Sequence, residues 1–184
     1  SNVRKVFFSS SACVYPLGKQ KNGQNKGLKE KDAIPADPDT MYGWEKVFSE
    51  MLCKSYALDY DMKVHVARFH NVYGPEGVYD GGREKSIAAL CRKIAQAKPG
   101  DAIEVWGDGK QTRSYCYIDD CCEGVYLLMR SSYLEPVNIG SVELVSINTL
   151  IDKIAFISGK KIKKIHDLTK PQGVRGRNSD NILI

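Results

Sequence analysis

The 184 residues include 27 basic and 22 acidic side chains, for a formal net charge of +5, and 42% of the residues are hydrophobic. This size and composition allow one sizeable core, or one core with a small lobe. The charges are mostly interspersed, and the one lysine cluster, at 160–164, is expected to be a solvated face, so nucleic-acid binding is not predicted and anionic small molecules are the expected partners.

No apolar run approaches the ~18 residues of a membrane-spanning helix, and the first residues lack the pattern of a signal peptide. A cytoplasmic protein without a membrane partner is therefore predicted. The six cysteines show no Cys-x-x-Cys pair and no regular spacing, so reduced thiols are expected. No histidine has metal-ligand spacing, and no metal site is predicted.

The first predicted element is a buried strand at residues 4–10 that ends in hydroxyl side chains. Residues 18–31 are rich in Gly, Asn, Gln and Lys, which predicts a surface loop. A helix follows and continues at helical spacing to Leu58, with Asp39 and Thr40 as its two N-cap candidates. A second strand is predicted at 63–69.

The second half of the chain alternates helices with strands. Helices are predicted at 86–97, 119–130 and 147–158, and strands at 103–106, 115–118 and 137–139. Trp106, at a strand end, is expected in the core. The alternation predicts an α/β chain with a parallel sheet. No Gly-x-Gly-x-x-Gly or Gly-x-x-Gly-x-x-Gly loop follows an opening strand, so the pyrophosphate cradle of a dinucleotide is absent from this sequence.

The most informative local pattern is Tyr42 with Lys46. Positions four residues apart lie on one face of a helix, so the phenol and the ammonium can enter one cleft. A nearby cation favours the phenolate form of a tyrosine, which then serves as a general base. The serines at 9–11 end a strand where open α/β sheets place their ligands. The Tyr-x-x-x-Lys spacing alone is weak evidence and gains strength from the motifs around it.

Eight blocks carry a family resemblance: 9–16, Tyr42 with Lys46, 68–75, 81–85, 106–109, 111–114, 137–141 and 173–181. On these residues the chain resembles the extended short-chain dehydrogenase/reductases (the NAD-dependent epimerase/dehydratases) and, within them, the GDP-mannose 3,5-epimerases. The most specific blocks are Ser-Ala-Cys at 11–13, Gly-Gly-Arg-Glu-Lys at 81–85 and the segment 174–181.

The resemblance implies a doubly wound, Rossmann-type parallel sheet with a smaller mixed α/β substrate lobe. Residues 1–75 correspond to the second half of the NAD-binding domain, and 76–184 mainly to the substrate lobe, with 108–141 partly returning to the sheet. Because the family's opening βα units precede this stretch, the chain is interpreted as a C-terminal portion. We expect it alone to have an incomplete NAD site, no useful NAD affinity and no epimerase activity.

The resemblance also implies the chemistry. Hydride passes from sugar C4 to NAD and back while Tyr42, assisted by Lys46, moves the hydroxyl proton and Ser11 binds that hydroxyl. Both Tyr42 and Lys46 are also implied NAD contacts. The transient ketone makes the hydrogens at C3 and C5 acidic, and Cys13 and Lys85 are implied as the pair that removes and returns a proton.

By the same resemblance, the expected partner is a nucleotide sugar, GDP-mannose, and the protein is expected to be a homodimer. The implied substrate contacts are Ser11, Ala12, Cys13, Asn71, Glu84, Lys85, Lys93, Gln111, Thr112, Arg113 and Arg177.

Several of these assignments have alternatives. Arg177 is either a phosphate ligand or half of a surface ion pair with Asp180. Lys93 either reaches the nucleotide or offsets a helix dipole. Arg175 either binds phosphate or faces solvent, and His70 is expected to be a hydrogen-bonded structural residue.

Two other functions compete with the 3,5-epimerase. A 4-epimerase or 4,6-dehydratase of the same superfamily would not need the Cys13 and Lys85 pair, and dehydratases typically carry carboxylates where this chain has Ala12 and Cys13. A noncatalytic remnant that binds a nucleotide sugar or a partner is the non-enzyme alternative, favoured by the absent glycine loop.

Overall fold

The fold was analysed in a computed structural model that describes residues 3–184. Four α-helices and ten strands are found in this range, together with short 3-10 turns. The helices are α1 (Met41–Tyr60), α2 (Ser86–Gln96), α3 (Ile118–Arg130) and α4 (Ile147–Ile157). The strands are β1 (Lys5–Ser11), β2 (Lys63–Phe69), β3 (Val72–Tyr73), β4 (Ala102–Trp106), β5 (Thr112–Arg113), β6 (Cys116–Tyr117), β7 (Val137–Ile139), β8 (Val145–Ser146), β9 (Lys163–Asp167) and β10 (Gly176–Arg177).

The main sheet contains three parallel strands in the order β1-β2-β7. Strand β2 is the central one, and its inner residues are buried, as expected for a strand covered on both faces. The pairing aligns Ser11 of β1 with Phe69 of β2, and Phe69 with Ile139 of β7. The three carboxyl ends therefore meet at one edge, where open α/β sheets bind ligands. The predicted α/β class with a parallel sheet is confirmed.

A second core lies between α2, α4 and the parallel pair β4-β9. It contains Leu90, Ile94, Val105, Leu150 and Ile151, all buried apolar side chains. Strand β9 was not predicted, because its lysines had been assigned to a solvated face.

The prediction that the lysine cluster forms a solvated face is wrong for at least two of its members. Lys160 donates from Nζ to the carbonyl oxygens of Ile94 and Ala95 at 2.8 and 2.6 Å, at the carboxyl end of α2. A cation there satisfies carbonyls that lack helical partners and complements the helix dipole. Lys164 pairs with Asp152 at 2.7 Å.

Two further expectations from the sequence need correction. Residues 18–31 are largely at the surface, as predicted, but Gln20 and Leu28 are fully buried and Leu28 bridges to Ser179. The segment acts as a wall against the C-terminal residues rather than as a solvated connection. The Trp106 ring is 51% exposed instead of lying in the core, and its Nε1 donates to Glu104.

A buried polar cluster beneath the sheet edge centres on Asn138. Its Oδ1 accepts from Tyr15 Oη at 2.6 Å and from His70 Nε2 at 3.1 Å, while its Nδ2 donates to Leu28 O at 2.8 Å. Burial raises the pKa of Tyr15 to about 12 and lowers the pKa of His70 to about 3, so both groups are neutral at physiological pH. The structural role expected for His70 is thus confirmed.

Across residues 3–184, no helix has the length and apolar character needed to cross a bilayer. In the same range, no three His, Cys, Asp or Glu side chains are grouped as a metal site. The six cysteines are free thiols.

Candidate active site

The end of β1 turns directly into a 3-10 helix at Ala12–Val14. Ser11 is its N-cap: the backbone is extended there, and the Ser11 Oγ accepts a hydrogen bond from the Cys13 amide at 3.2 Å. This bond uses the oxygen of Ser11 as an acceptor and leaves its hydroxyl proton available to another group. Ser11 and Cys13 are partly exposed, whereas Ala12 is buried between them.

Helix α1 begins beside this turn. Thr40, one of the two predicted caps, is the N-cap, and its Oγ1 accepts from the Gly43 amide at 3.2 Å. A Cβ on Gly43 would lie 2.4 Å from the Cys13 carbonyl oxygen and 2.5 Å from Pro38 Cβ, closer than real contacts allow. The missing side chain therefore lets the first turn of α1 pack directly against the backbone of Cys13.

Tyr42 and Lys46 lie together at the end of β1, as the spacing predicted. The Lys46 Nζ is 5.5 Å from the centroid of the Tyr42 ring and donates to the Ser9 carbonyl oxygen at 3.1 Å. Because Tyr42 is about half exposed, its phenol is accessible from the cleft. The ammonium is thus fixed by the strand next to an accessible phenol, and these two side chains suit the reacting end of a nicotinamide cofactor.

Arg177 is brought to Cys13 from 164 residues along the chain. It is 9% exposed, and its Nη1 donates to the Cys13 sulfur at 3.2 Å. Its Nε donates to Gln20, and its Nη2 lies 3.6 Å from the Asp39 carboxylate, beyond hydrogen-bond distance. The ion pair with Asp180, the alternative considered from the sequence, is not formed; Arg177 faces the candidate site instead.

Arg113 is the register partner of Arg177 in the parallel pair β5-β10. Its Nη1 donates to the Thr112 carbonyl oxygen at 2.7 Å, and within residues 3–184 no carboxylate forms an ion pair with it. Burial and the positive charge of Arg177 lower the pKa of Arg113 to about 10. Two neighbouring guanidinium groups that share one nearby carboxylate, Asp39, among the described residues leave a net positive site for an anion such as a diphosphate.

Arg175 neither faces solvent nor points at a ligand. Its Nη1 and Nη2 donate to the two Asp108 oxygens at 2.8 and 3.0 Å. Hydrogen bonding from Arg175 is the main reason that the pKa of Asp108 falls to about 2. This bidentate pair uses the Arg175 fork and fixes the turn after β4.

The 81–85 block, expected from the family resemblance to form another wall of the site, lies just before α2. Lys85 is the exposed N-cap residue of α2, and Glu84 accepts from Arg92 Nη2 at 3.1 Å. Arg92 also donates from Nε to the Tyr79 carbonyl oxygen at 2.8 Å, which ties this loop to the helix. Among the described residues, Lys85 has no hydrogen bond or ion pair to the Cys13 side. Lys93, farther along α2, reaches the Glu104 carbonyl oxygen at 3.4 Å.

The remaining predicted contacts are partly engaged within the protein. Asn71 has a left-handed backbone with φ of 40° and donates from Nδ2 to Ser114 O at 2.9 Å. Thr112 donates its hydroxyl proton to Gly23 O at 2.6 Å. Gln111 donates to Trp106 O at 3.1 Å, and its Oε1 is buried without a partner. That unpaired acceptor is the feature of this group that most suits a ligand donor.

Sequence reasoning missed Gln20, Asp39 as a partner of Arg177, and Arg92. Gln20 and Arg177 are 157 residues apart, so no local spacing joins them. Asp39 was considered only as a helix cap. Arg92 lies on α2 and Glu84 on the loop before it, eight residues apart, so helical spacing does not join them.

A hydroxyl and a thiol at the end of a parallel strand, next to a Tyr-x-x-x-Lys helix and two neighbouring arginines, define the class as an α/β protein of the Rossmann type. Residues 1–140 match the NAD dependent epimerase/dehydratase family, and the chain belongs to that family. The resemblance inferred from the sequence motifs is confirmed.

Individual relatives give the same result. The chain is 50% identical over 184 residues to GDP-mannose 3,5-epimerase of Arabidopsis thaliana, covering 100% of this chain and 48% of that protein. It is 51% identical to GDP-mannose 3,5-epimerase 1 of Oryza sativa subsp. indica, again over 48% of that protein. The chain therefore spans about half the length of these curated relatives.

Among solved structures, UDP-glucose 4-epimerase of Thermotoga maritima, determined with UDP-glucose, superposes with a TM-score of 0.86 at 26% identity. The match covers 98% of this chain and 56% of that one. The Rossmann-type fold expected from the sequence is thereby confirmed.

Proposed function

We propose that the whole protein catalyses NAD-dependent epimerisation of a nucleotide sugar, GDP-mannose at C3 and C5. The observation that carries this proposal is the Arg177–Cys13 contact beside Tyr42 and Lys46. A site that only transfers hydride needs Tyr42 and Lys46, but it does not need a thiol in contact with a guanidinium group. The 50% identity to a GDP-mannose 3,5-epimerase supports the same substrate and reaction.

Tyr42 and Lys46 are the residues that would hold the nicotinamide end of NAD. When bound, NAD supplies the transient oxidation at sugar C4. The phenolate of Tyr42 removes the C4 hydroxyl proton, and the Lys46 ammonium stabilises that phenolate through its position 5.5 Å from the ring. Ser11 binds the same hydroxyl, because its own proton remains free to donate.

Cys13 and Lys85 form the epimerising pair in this proposal. Once C4 is a ketone, the hydrogens on the adjacent carbons are acidic, and one group takes a proton while the other returns one to the opposite face. The Arg177 N–H at 3.2 Å stabilises negative charge on the Cys13 sulfur. Lys85 reaches the sugar from the other wall, where its exposed side chain has no partner within residues 3–184.

Arg113 and Arg177 are proposed to bind the diphosphate. Their charges lie on neighbouring strands, and among the described residues Asp39 has the only carboxylate within ion-pair distance of either guanidinium. Gln111 and Asn71 flank this region with an unpaired buried acceptor and an amide that keeps a second donor proton. Glu84, Lys93 and Thr112 remain proposed substrate contacts from the family resemblance.

Replacement of Cys13 by serine in the whole protein tests the proposed reaction. Epimerisation and incorporation of solvent deuterium into the sugar should fall by about 100-fold or more, the usual scale for losing a general acid or base, while hydride transfer persists. Cys91→Ser, on exposed α2 surface, is the matched control and should retain both rates. Normal deuterium incorporation in the Cys13→Ser variant would remove Cys13 from the mechanism.

We further propose a homodimer that packs through α1. Trp44, Phe48 and Leu52 follow one another at four-residue spacing and are all exposed, so α1 carries an apolar stripe along its outer face. Sedimentation of the whole protein tests this interface. The division at residue 75, the cytoplasmic location and the inactivity of the isolated chain stay predictions from the sequence.

A further inference from the structure

Gln20 is a fully buried amide in the segment that was expected to be a solvated loop. Its Nε2 donates to the carbonyl oxygens of Tyr15 and Pro16, at 2.8 and 3.3 Å. Its Oε1 accepts from the Nε of Arg177. Because both amide protons go to carbonyl oxygens, the side-chain oxygen can face only the guanidinium.

Backbone contacts also hold the residues before Arg177 against the segment that carries Gln20. The Arg175 amide donates to the Gln20 carbonyl oxygen at 3.0 Å. A Cβ on Gly176 would lie 2.1 Å from the Asn22 carbonyl oxygen, so the chain before Arg177 lies directly against this wall. The base of the arginine side chain and its Nε are therefore both fixed relative to residues 15–22.

The geometry has a consequence at the thiol. A free arginine side chain populates many rotamers, and fixing it costs conformational entropy. With Nε bound by Gln20, the rigid guanidinium fork can only direct Nη1 and Nη2 within one plane. In that plane Nη1 lies 3.2 Å from the Cys13 sulfur, and Nη2 is directed toward Asp39.

We propose that Gln20 is a positioning residue for the Cys13–Arg177 pair: its amide holds the Arg177 guanidinium so that one N–H faces the Cys13 sulfur. This inference rests on the proposed function for its catalytic meaning. Gln20 touches neither the thiol nor the sugar and acts only through Arg177.

Charge-selective alkylation of Cys13 tests this role without any turnover. The protein is labelled with iodoacetate, an anion, or with neutral iodoacetamide, and labelling of each cysteine peptide is followed by mass spectrometry. A guanidinium fixed beside the sulfur attracts the anionic reagent, so the ratio of the two rates reports its position. Cys91 and Cys122, both exposed, serve as internal references in every sample.

In the Gln20→Leu variant, the iodoacetate-to-iodoacetamide ratio at Cys13 should fall about threefold, the effect of one charge at roughly 7 Å in water. Arg177→Met, which removes the guanidinium, should lower the ratio at least as far. Asn25→Leu is the control from the same segment, because it removes the bond to the Lys19 carbonyl oxygen and leaves Arg177 untouched. Its ratio should match the unmodified protein.

General loosening of the segment gives a different result, since it raises both rates at Cys13 and leaves their ratio unchanged. A normal ratio in Gln20→Leu with a low ratio in Arg177→Met overturns the positioning role. A normal ratio in Arg177→Met overturns it as well, because the guanidinium then does not act on the thiol.

The labelling experiment and the activity experiment test different proposals and can fail independently. If the ratios change as expected but Cys13→Ser retains deuterium incorporation, the positioning geometry holds and the epimerase mechanism fails. If turnover depends on Cys13 but the labelling ratio at Cys13 is unchanged in Gln20→Leu, the proposed function stands and the positioning role of Gln20 is refuted. In the active whole protein, Gln20→Leu should lower deuterium exchange more than it raises KM for the nucleotide sugar.

Discussion

Alanine at position 43 should displace the first turn of α1 from the candidate site. The new Cβ would lie 2.4 Å from the Cys13 carbonyl oxygen, whereas non-bonded heavy atoms prefer about 3.5 Å or more. Helix and turn must therefore separate by about 1 Å, since the group in the way is backbone and not a flexible side chain. A misplacement of about 1 Å near reacting groups can reduce turnover by ~100-fold.

The stability cost should be smaller than the catalytic one. Overpacking a filled site costs about 1–3 kcal/mol, and alanine recovers about 1 kcal/mol through its higher helix propensity. The net loss in unfolding free energy is therefore ~0–2 kcal/mol, small enough for the variant to fold. Denaturant melts and steady-state turnover of the whole protein, measured side by side, separate the two effects.

Gly124→Ala is the matched control, a second glycine inside a helix. Its Cβ would meet side-chain carbons of Ile139 at 3.3 Å and of Ile184 at 3.4 Å, and isoleucine side chains can adjust by a few tenths of an ångström. Turnover should stay within about twofold of the unmodified protein, with unfolding free energy changed by less than ~1 kcal/mol. If Gly43→Ala has the same turnover as Gly124→Ala, close contact between α1 and Cys13 does not position the catalytic groups.

Two other predictions concern acid stability and assembly. The pKa of His70 is about 3 when folded and 6.5 by reference, so the unfolded chain alone gains this proton and stability falls as pH drops from 6.5 toward 3, by up to ~1.4 kcal/mol per unit. In His70→Gln, thermal melts should show a shallower decline between pH 6.5 and 5, and an unchanged slope contradicts this assignment. Phe48 is 68% exposed in the apolar stripe of α1, and Phe48→Glu should turn the proposed dimer into a monomer in sedimentation velocity. Phe156→Glu, on α4 at a residue that is 87% exposed, should not. Identical sedimentation of both variants would exclude α1 as the interface.

The regular elements could be predicted where their own residues bury an apolar face. Strand β2 occupies the predicted residues 63–69, and α2 and α4 begin at the predicted residues. Strand β9 could not be predicted because its sequence is Lys-Lys-Ile-His-Asp, and only pairing with β4 makes it a strand. Lys164 of β9 pairs with Asp152 on the preceding helix, and Lys160, before the strand, donates to the Ala95 carbonyl oxygen 65 residues away. Charge patterning alone does not reveal these acceptors.

The candidate site likewise contains contacts that could be predicted from the sequence and contacts that could not. Tyr42 with Lys46, and Ser11 with Cys13, form local patterns whose spacing fixes their relation, so the sequence located them. The contacts of Arg177 with Gln20 and Cys13 span 157 and 164 residues, and no periodicity connects such positions. The polar segment 18–31 was interpreted as solvated because composition does not show that the buried Gln20 amide is paired with nearby carbonyl oxygens and with a distant guanidinium.

Helix α1 is fixed at a second point about two turns beyond Gly43. Glu50 accepts from the Nε and Nη2 of Arg68 at 2.9 and 2.6 Å and from Ser10 Oγ at 2.5 Å, and both charged side chains are nearly inaccessible. A buried ion pair contributes little net stability, but removal of one partner leaves an uncompensated charge and costs about 3–5 kcal/mol. The pair therefore penalises any slip of α1 against β1 and β2. Since Lys46 lies between this anchor and the Gly43 contact, its ammonium is held at the end of β1 from both directions.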